Sequence, residues 1–411
     1  MRVLHIITGL GIGGAEQQLR LLLRHLPTDS DVITLTNPGA VAEGITADGV
    51  RVRDLAMAGN RDLGALPRLA RLVRQGRYDL VHTHLYRACL YGRFAARLAG
   101  VRPIVATEHS LGARQIEGRP LSAGARALYL AGERLGTATV AVSDTVARRL
   151  ERWGVPRDRI HVVPNGIEVG RFAFDAVARR ATRDRLGLPL DAFVVGGVGR
   201  LTRGKRFDTL VRAVAQLPSA RLLLVGDGPE RAGLGRLADE LGAAGRILLH
   251  GACEDPPRVP PPVPPPVPPA CGAPCPVSGG PDLPSLLAAM DVFVSTSPDE
   301  SFGLAVVEAL AAGLPVLHVT CPALHDLPPE AAPGARRISG SVAGLAADLR
   351  PFQEACHARA HESWQEAGRH RLSVPPAALH YDISHSAEQL MTVYENAVRG
   401  PVAAIREVSC P

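Results

Sequence analysis

Val3-Leu4-His5-Ile6-Ile7 is an apolar, β-branched run, and it leads through Gly9-Leu10-Gly11-Ile12-Gly13-Gly14 into Ala15 to His25, whose apolar positions recur at helical spacing. Strand, glycine turn and helix in that order begin a βαβ unit. The rhythm continues: Asp31 to Leu35, Leu80 to His82, Ile104 to Thr107 and Thr139 to Val142 read as strands, with helical patterns such as Leu63 to Gln75 between them. Alternation of this kind predicts a parallel, doubly wound α/β sheet.

The rhythm restarts after Asp191, with Phe193 to Val198, Arg221 to Val225, Ile247 to His250 and Val292 to Ser295. Two Rossmann-like domains are therefore expected, over residues 1–185 and 186–380, with residues 381–400 as a closing helix. The polar, Arg-rich stretch Asp175 to Leu190 suits a hinge between them. Ligands of open parallel sheets bind at the carboxyl ends of the strands, so the cleft between two such sheets is where chemistry is expected.

Composition agrees. The 411 residues are 46% hydrophobic and 21% charged, which excludes wholesale disorder, a collagen and a disulfide miniprotein. Seven scattered cysteines fit a reducing compartment. No run approaches the ~18–20 apolar residues that a membrane-spanning helix needs, and the opening apolar run reads as a strand rather than a signal peptide. A formal charge of +6 favours an anionic ligand or a membrane surface. The chain uses arginine almost throughout; Lys205 is its only lysine. A compact ammonium against that background suggests a position where a planar guanidinium does not serve, although codon bias alone produces the same scarcity.

Three segments carry chemistry. Gly9, Gly11 and Gly14 match a dinucleotide-binding spacing, in which main-chain amides at a helix N-terminus approach a pyrophosphate. Thr34-Leu35-Thr36-Asn37 supplies no acid for an adenosine ribose, so a nicotinamide cofactor is not expected while anion binding is. Val198-Gly199-Arg200-Leu201-Thr202-Arg203-Gly204-Lys205 follows a strand and sets two cations five residues apart, able to flank a diphosphate. In Asp299-Glu300-Ser301-Phe302-Gly303-Leu304, Ser301 reads as an N-cap, which leaves the amides of Gly303 and Leu304 for an anion. Glu308 then falls in the second turn of an otherwise apolar helix, where an acid wants a hydroxyl-bearing partner such as a ribose. Each segment also has a plainer reading: a tight turn, solvated loop cations, and acids that complement a helix dipole.

Together with Val163-Pro164-Asn165-Gly166-Ile167 and Gly226-Asp227-Gly228-Pro229, these segments stand in an order that resembles the retaining glycosyltransferases of family 4, of GT-B architecture. The likeness covers about residues 1–317, and Ser386 to Val398 is similar to the family's C-terminal helix, which packs back on the first domain. The resemblance implies that Arg200 and Lys205 bind the donor diphosphate and that Glu308 binds the nucleotide ribose. It implies further that Gly13, Gly14, Gly303 and Leu304 shape the donor site, with Glu300 against the sugar hydroxyls and His109 beside the sugar. The implied reaction takes a sugar from a nucleoside diphosphate sugar to a sugar or lipid-linked acceptor, as in surface polysaccharide, glycolipid or glycoconjugate synthesis. No cofactor, metal or nucleic acid is expected. The expected location is cytoplasmic, with peripheral contact on the inner membrane face left open.

His82 and His84 share a strand end, but the following loop is expected to break the alternation after His82, and no third ligand is in view. The sequence departs from the family pattern at Ser301, a position where glycine is frequent, and after Pro315, where Val319-Thr320-Cys321-Pro322-Ala323-Leu324-His325 lacks the paired glycines and the acid. It departs also in a proline-rich insertion, residues 256–281, with ten prolines between Pro256 and Pro269. That insertion reads as exposed polyproline II, and Cys271 and Cys275 are too few for zinc. Arg114 and Arg119, in Ser110 to Leu121, are candidates for an acceptor phosphate. A nucleotide-sugar epimerase of the same fold, and an inactive nucleotide-sugar-binding protein docked through its prolines, are the competing readings.

Overall fold

A computed structural model describes residues 1–59, 62, 64–112, 115–116, 119–120, 122–253, 280–358 and 371–400. The insertion as far as residue 279, Arg114 and the side chain of Arg119 lie outside the described residues. The first sheet holds β1 (Arg2–Ile7), β2 (Asp29–Thr34), β3 (Arg51–Asp54), β4 (Leu80–His84) and β5 (Ile104–Glu108). A short antiparallel hairpin, β6 (Gln115–Ile116) and β7 (Arg119–Pro120), precedes its last two strands, β8 (Ala138–Ala141) and β9 (Ile160–Val162). The second sheet holds β10 (Phe193–Val198), β11 (Ala220–Val225), β12 (Ile247–Gly251), β13 (Val292–Ser295), β14 (Val316–His318) and β15 (Ala335–Arg337). Their orders are β3-β2-β1-β4-β5-β8-β9 and β12-β11-β10-β13-β14-β15, all pairs parallel.

In both sheets the strand order reverses beside the first strand of the domain, between β1 and β4 and again between β10 and β13. Loops leaving neighbouring strands in opposite directions open a crevice at such a point. The central strands are apolar because helices cover both faces: Val3, Leu4, Ile6, Val194, Val195, Leu222 and Leu224 are wholly buried. Each such side chain contributes roughly 1.5–3 kcal/mol of burial free energy.

The Arg-rich stretch read as a hinge holds the helix Ala176–Leu186, capped by Asp175. Arg183 is fully buried on it, donating to the carbonyls of Ala289, Pro189, Leu190 and Ala192 and to Asp291 at 2.8 Å, while Arg179 reaches Asp291 at 2.6 Å. These arginines are structural, tying the segment to the second sheet. The last helix, Ile383–Arg399, starts three residues before the expected Ser386 because Asp382 caps it. Its face of Ile383, Leu390, Val393 and Tyr394 packs on Val3, Leu22, Leu80 and Val105 of the first domain. At its entry, Ile167 donates to Tyr381 (2.8 Å) and Ile383 donates to Ile167 (2.9 Å), so outgoing and returning chains lie side by side. Among the described residues, no helix is long and apolar enough to cross a membrane.

Candidate active site

The glycine turn after β1 faces the second domain. A Cβ on Gly13 would lie 3.1 Å from Arg200 Nη2, and one on Gly14 would lie 3.6 Å from Leu304 Cδ1. Gly13 is the N-cap of the helix Gly14–His25 and offers no side-chain cap; the first amides of a helix have no intrahelical acceptor. Across the gap, Arg200 is exposed on the loop after β10. That loop is set by the glycines of Gly226-Asp227-Gly228. Gly199 donates to Val225 and Leu201 to Asp227, both at 2.9 Å, while a Cβ on Gly226 (φ 138°) would overlap the Gly199 carbonyl. The second glycine motif therefore acts by letting the arginine loop lie flat against it.

Lys205 closes the same loop and bonds Glu300 Oε1 at 2.5 Å, with the lysine a third exposed and Glu300 more covered. Thr296 Oγ1 donates to the Lys205 carbonyl at 2.7 Å, which joins the loop after β10 to the loop after β13 at the switch point. In the structure the ammonium is thus already paired with the acid expected at the sugar.

The helix carrying Glu308 is Leu304–Ala311, and its N-cap is Gly303 at φ 105°, not Ser301. Ser301 instead presents its carbonyl to Ser143 Oγ of the first domain at 2.6 Å. Glycine is required at 303 on two counts: the positive φ, and Cys321 Sγ, which a Cβ would meet at 2.6 Å. Cys321, in the stretch lacking the family's glycines, packs directly on the Gly303 turn, and burial pushes its thiol up to about 12. Glu308 sits half-buried in the second turn as expected.

On the first domain, β4 runs through His84, so the alternation is not broken after His82; both rings share one face, centroids 4.0 Å apart. A third histidine joins them, His5 of β1, which pairs in register with His82. Sequence reading passed over His5 because parallel register is not written locally; its signal is a lone polar residue within an apolar strand. Ligand atoms of His5, His82 and His84 lie within 4.8 Å of one another. His82, however, bonds Tyr394 Oη through Nδ1 (2.6 Å) and Thr107 Oγ1 through Nε2 (2.7 Å), leaving it no lone pair for a cation without breaking one of these. His84 Nδ1 meets His109 Nε2 at 3.1 Å. Burial holds His82 and His84 far below the usual histidine range, His5 at about 3 and His109 at about 4, so the cluster is neutral.

Arg149, which no local motif marks, joins the two halves. Its guanidinium donates to the carbonyls of Leu111 (2.6 Å) and Glu300 (3.2 Å) and to Asp299 Oδ1 (2.7 Å). The segment after His109 and the loop bearing Glu300 are therefore held by one side chain. Gly13, Gly14, Arg200 and Leu304 come together, as do Lys205 with Glu300 and His109 with the strand-end histidines.

Residues 12–171 match the model "Glycosyltransferase Family 4", and residues 178–259 and 275–350 match two models described as "Glycosyl transferases group 1". The D-inositol 3-phosphate glycosyltransferase of Mycobacterium tuberculosis is 28% identical over 334 residues, 77% of this chain; the chain spans 63% of that relative's length. Among solved structures, HepE of Anabaena in complex with UDP and glucose superposes with a TM-score of 0.73 at 21% identity, over 96% of this chain and 99% of that one. Sucrose-phosphate synthase of Thermosynechococcus elongatus gives 0.69 at 21% identity, over 96% and 98%. The two parallel-sheet domains have the GT-B fold.

Proposed function

We propose that this chain is a retaining glycosyltransferase that moves a sugar from a nucleoside diphosphate sugar to a hydroxyl of a sugar or lipid-linked acceptor. The observation that carries the reading is the approach of the Gly13-Gly14 turn to Arg200 and Leu304, two sets of main-chain amides and a guanidinium around one gap. Solved neighbours of the same fold are complexes with UDP and glucose and with UDP-glucose, which supports the donor class. In this reading residues 1–185 take the acceptor, residues 186–380 the donor, and residues 381–400 close the first domain.

Breaking the bond between the anomeric carbon and the diphosphate leaves an oxocarbenium-like sugar and negative charge on the leaving group. Arg200, Lys205 and the helix N-termini at Gly13 and Gly303 stabilise that charge without a metal. The 2.5 Å Lys205–Glu300 pair keeps the ammonium oriented before the donor arrives. A diphosphate then shares the ammonium, and Glu300 turns its oxygens to sugar hydroxyls. Glu308 binds the ribose. In a same-face route the departing phosphate oxygen takes the acceptor's proton as the new bond forms, so anomeric configuration is kept without a protein nucleophile.

Thermal-shift titration against a panel of nucleotide sugars, followed by NMR of the product's anomeric proton, tests this. A donor-dependent rise in Tm and a product of unchanged anomeric configuration are expected. Stabilisation by no nucleotide sugar, or a product of inverted configuration, sinks it. Isomerised donor without acceptor would favour the epimerase, and binding without turnover the inactive binder.

A further inference from the structure

Three helices lie side by side on the first domain, Ala65–Gly76, Tyr86–Ala99 and Ala123–Glu133, the middle one packed against both others. Tyr86 Oη donates to the Ala125 carbonyl at 2.8 Å where the last two begin, and Arg97 Nε donates to the Leu135 carbonyl at 2.9 Å where they end. Arg74 Nη2 of the first helix donates to the Leu98 carbonyl at 2.6 Å. The three helices contain a single acid, Glu133, which is buried and paired with Arg159 at 3.0 Å. Arg71, Arg74, Arg97 and, one residue past the last helix, Arg134 are exposed, and none has an acidic partner among the described residues. Between these arginines Leu98 is 57% exposed, Leu128 50% and Phe94 36%. A Cβ on Gly132 would lie 3.9 Å from Phe94 Cε2, and Leu128 is one turn before Gly132 on the same side, so the apolar residues of the two helices form one patch.

We propose that this face docks on the surface of an anionic lipid bilayer, with Leu98 and Leu128 dipping into the acyl boundary and the arginines against lipid phosphates. The proposal goes beyond the glycosyl-transfer reading and needs neither its donor nor its acceptor.

Singly exposed apolar residues are ordinary on a protein surface. What sets this face apart is the unneutralised charge around them. Exposed arginines elsewhere on the chain stand against acids: Arg51 against Asp31, Arg157 against Glu151, Arg336 against Asp348. Here the same residue type is collected without a counter-charge, so the potential over the patch is positive and its complement is an anionic surface. Arginine suits that surface, because its guanidinium forks onto phosphate oxygens while its stem lies along apolar groups. Arg74 and Arg97, anchored to the Leu98 and Leu135 carbonyls, hold their charge level with the exposed Leu98. A second copy of the chain fits less well, since a two-fold pairing of this face would set arginine against arginine. A nucleic acid would meet the arginines and stack on Phe94, but it would leave the two leucines without an apolar partner.

The test is cosedimentation of the full chain with lipid vesicles, without nucleotide. The chain should pellet with vesicles of phosphatidylcholine and phosphatidylglycerol in equal parts and stay in the supernatant with phosphatidylcholine alone. Arg71→Gln and Arg134→Gln should each lower the partition coefficient about fivefold, the scale of one cation near such a surface. Leu98→Ser and Leu128→Ser should each lower it about tenfold. All four positions are exposed, so these losses should come at the parental Tm. No pelleting with the anionic mixture, equal pelleting with both vesicle types, or leucine variants that pellet like the parent would overturn the proposal; so would binding of a single-stranded RNA oligomer in preference to the anionic vesicles. Because sedimentation involves no sugar, a chain that pellets yet transfers none keeps this surface and loses the glycosyl-transfer reading, and one that transfers sugar but never pellets does the reverse.

Discussion

The two rims of the cleft handle polarity in opposite ways. The second domain keeps its cations in the open: Arg200 is exposed and Lys205 is a third exposed, on a loop held by glycines. The first domain keeps its imidazoles in the dark, with His5, His82 and His84 fully buried and held neutral by that burial. In the proposed reading, an anion with its own water shell would be met by groups that hydration leaves charged, and a sugar by groups that are directional without charge. Burial, more than residue type, decides which service a basic side chain gives.

The contrast can be broken most directly at Lys205. Lys205→Ala should lower kcat about 100- to 1000-fold, as loss of an oxyanion donor does, and Lys205→Arg should recover little if the compact ammonium matters; steady-state kinetics with saturating donor measure both. Parental turnover in Lys205→Ala would remove the charged rim from the chemistry. Glu308→Ala should leave kcat nearly intact and raise donor KM by about 10- to 100-fold, the scale of a lost charge-assisted hydrogen bond. Gly303→Ala sharpens the geometric side. Its Cβ would meet Cys321 Sγ at 2.6 Å in a left-handed backbone, so stability should drop by about 1–3 kcal/mol, read as a lower denaturation midpoint.

The smallest effect concerns the neutral rim. His5 and His109 titrate at about 3 and about 4 in the folded chain against 6.5 when unfolded, so unfolding takes up protons between those values. Their contribution to stability is complete above pH 6.5 and is lost as pH falls from 6.5 towards 4. A Tm that declines over that interval, and declines less in His109→Phe, is expected; a flat profile would mean the rings are hydrated.

Sequence made the central strands legible because each is a β-branched run between helical periods, and their observed ends differ by two residues at most. Several short strands escaped. β3, Arg51-Val-Arg-Asp54, is an edge strand with charged positions on both faces, and β14 and β15 have three residues each. The approach of the Gly13-Gly14 turn and the Arg200 loop was foreshadowed by glycines and cations in short loops. Ser301 misled because serine is a good N-cap in general, whereas the left-handed Gly303 and the packing of Cys321 set the true start. His5 and Arg149 were hidden for one reason: their partners are 79 residues and up to 151 residues away, and only the folded register brings them together.

The chain passes between the domains twice, and the two passages are pinned to each other where Ile167 bonds Tyr381 and Ile383. Two adjoining tethers resist twisting and sliding far better than one does, yet they yield to bending about the line they share. Any bending of one domain against the other would therefore turn about that shared line, with the Gly13-Gly14 turn and the Arg200 loop on the two facing rims.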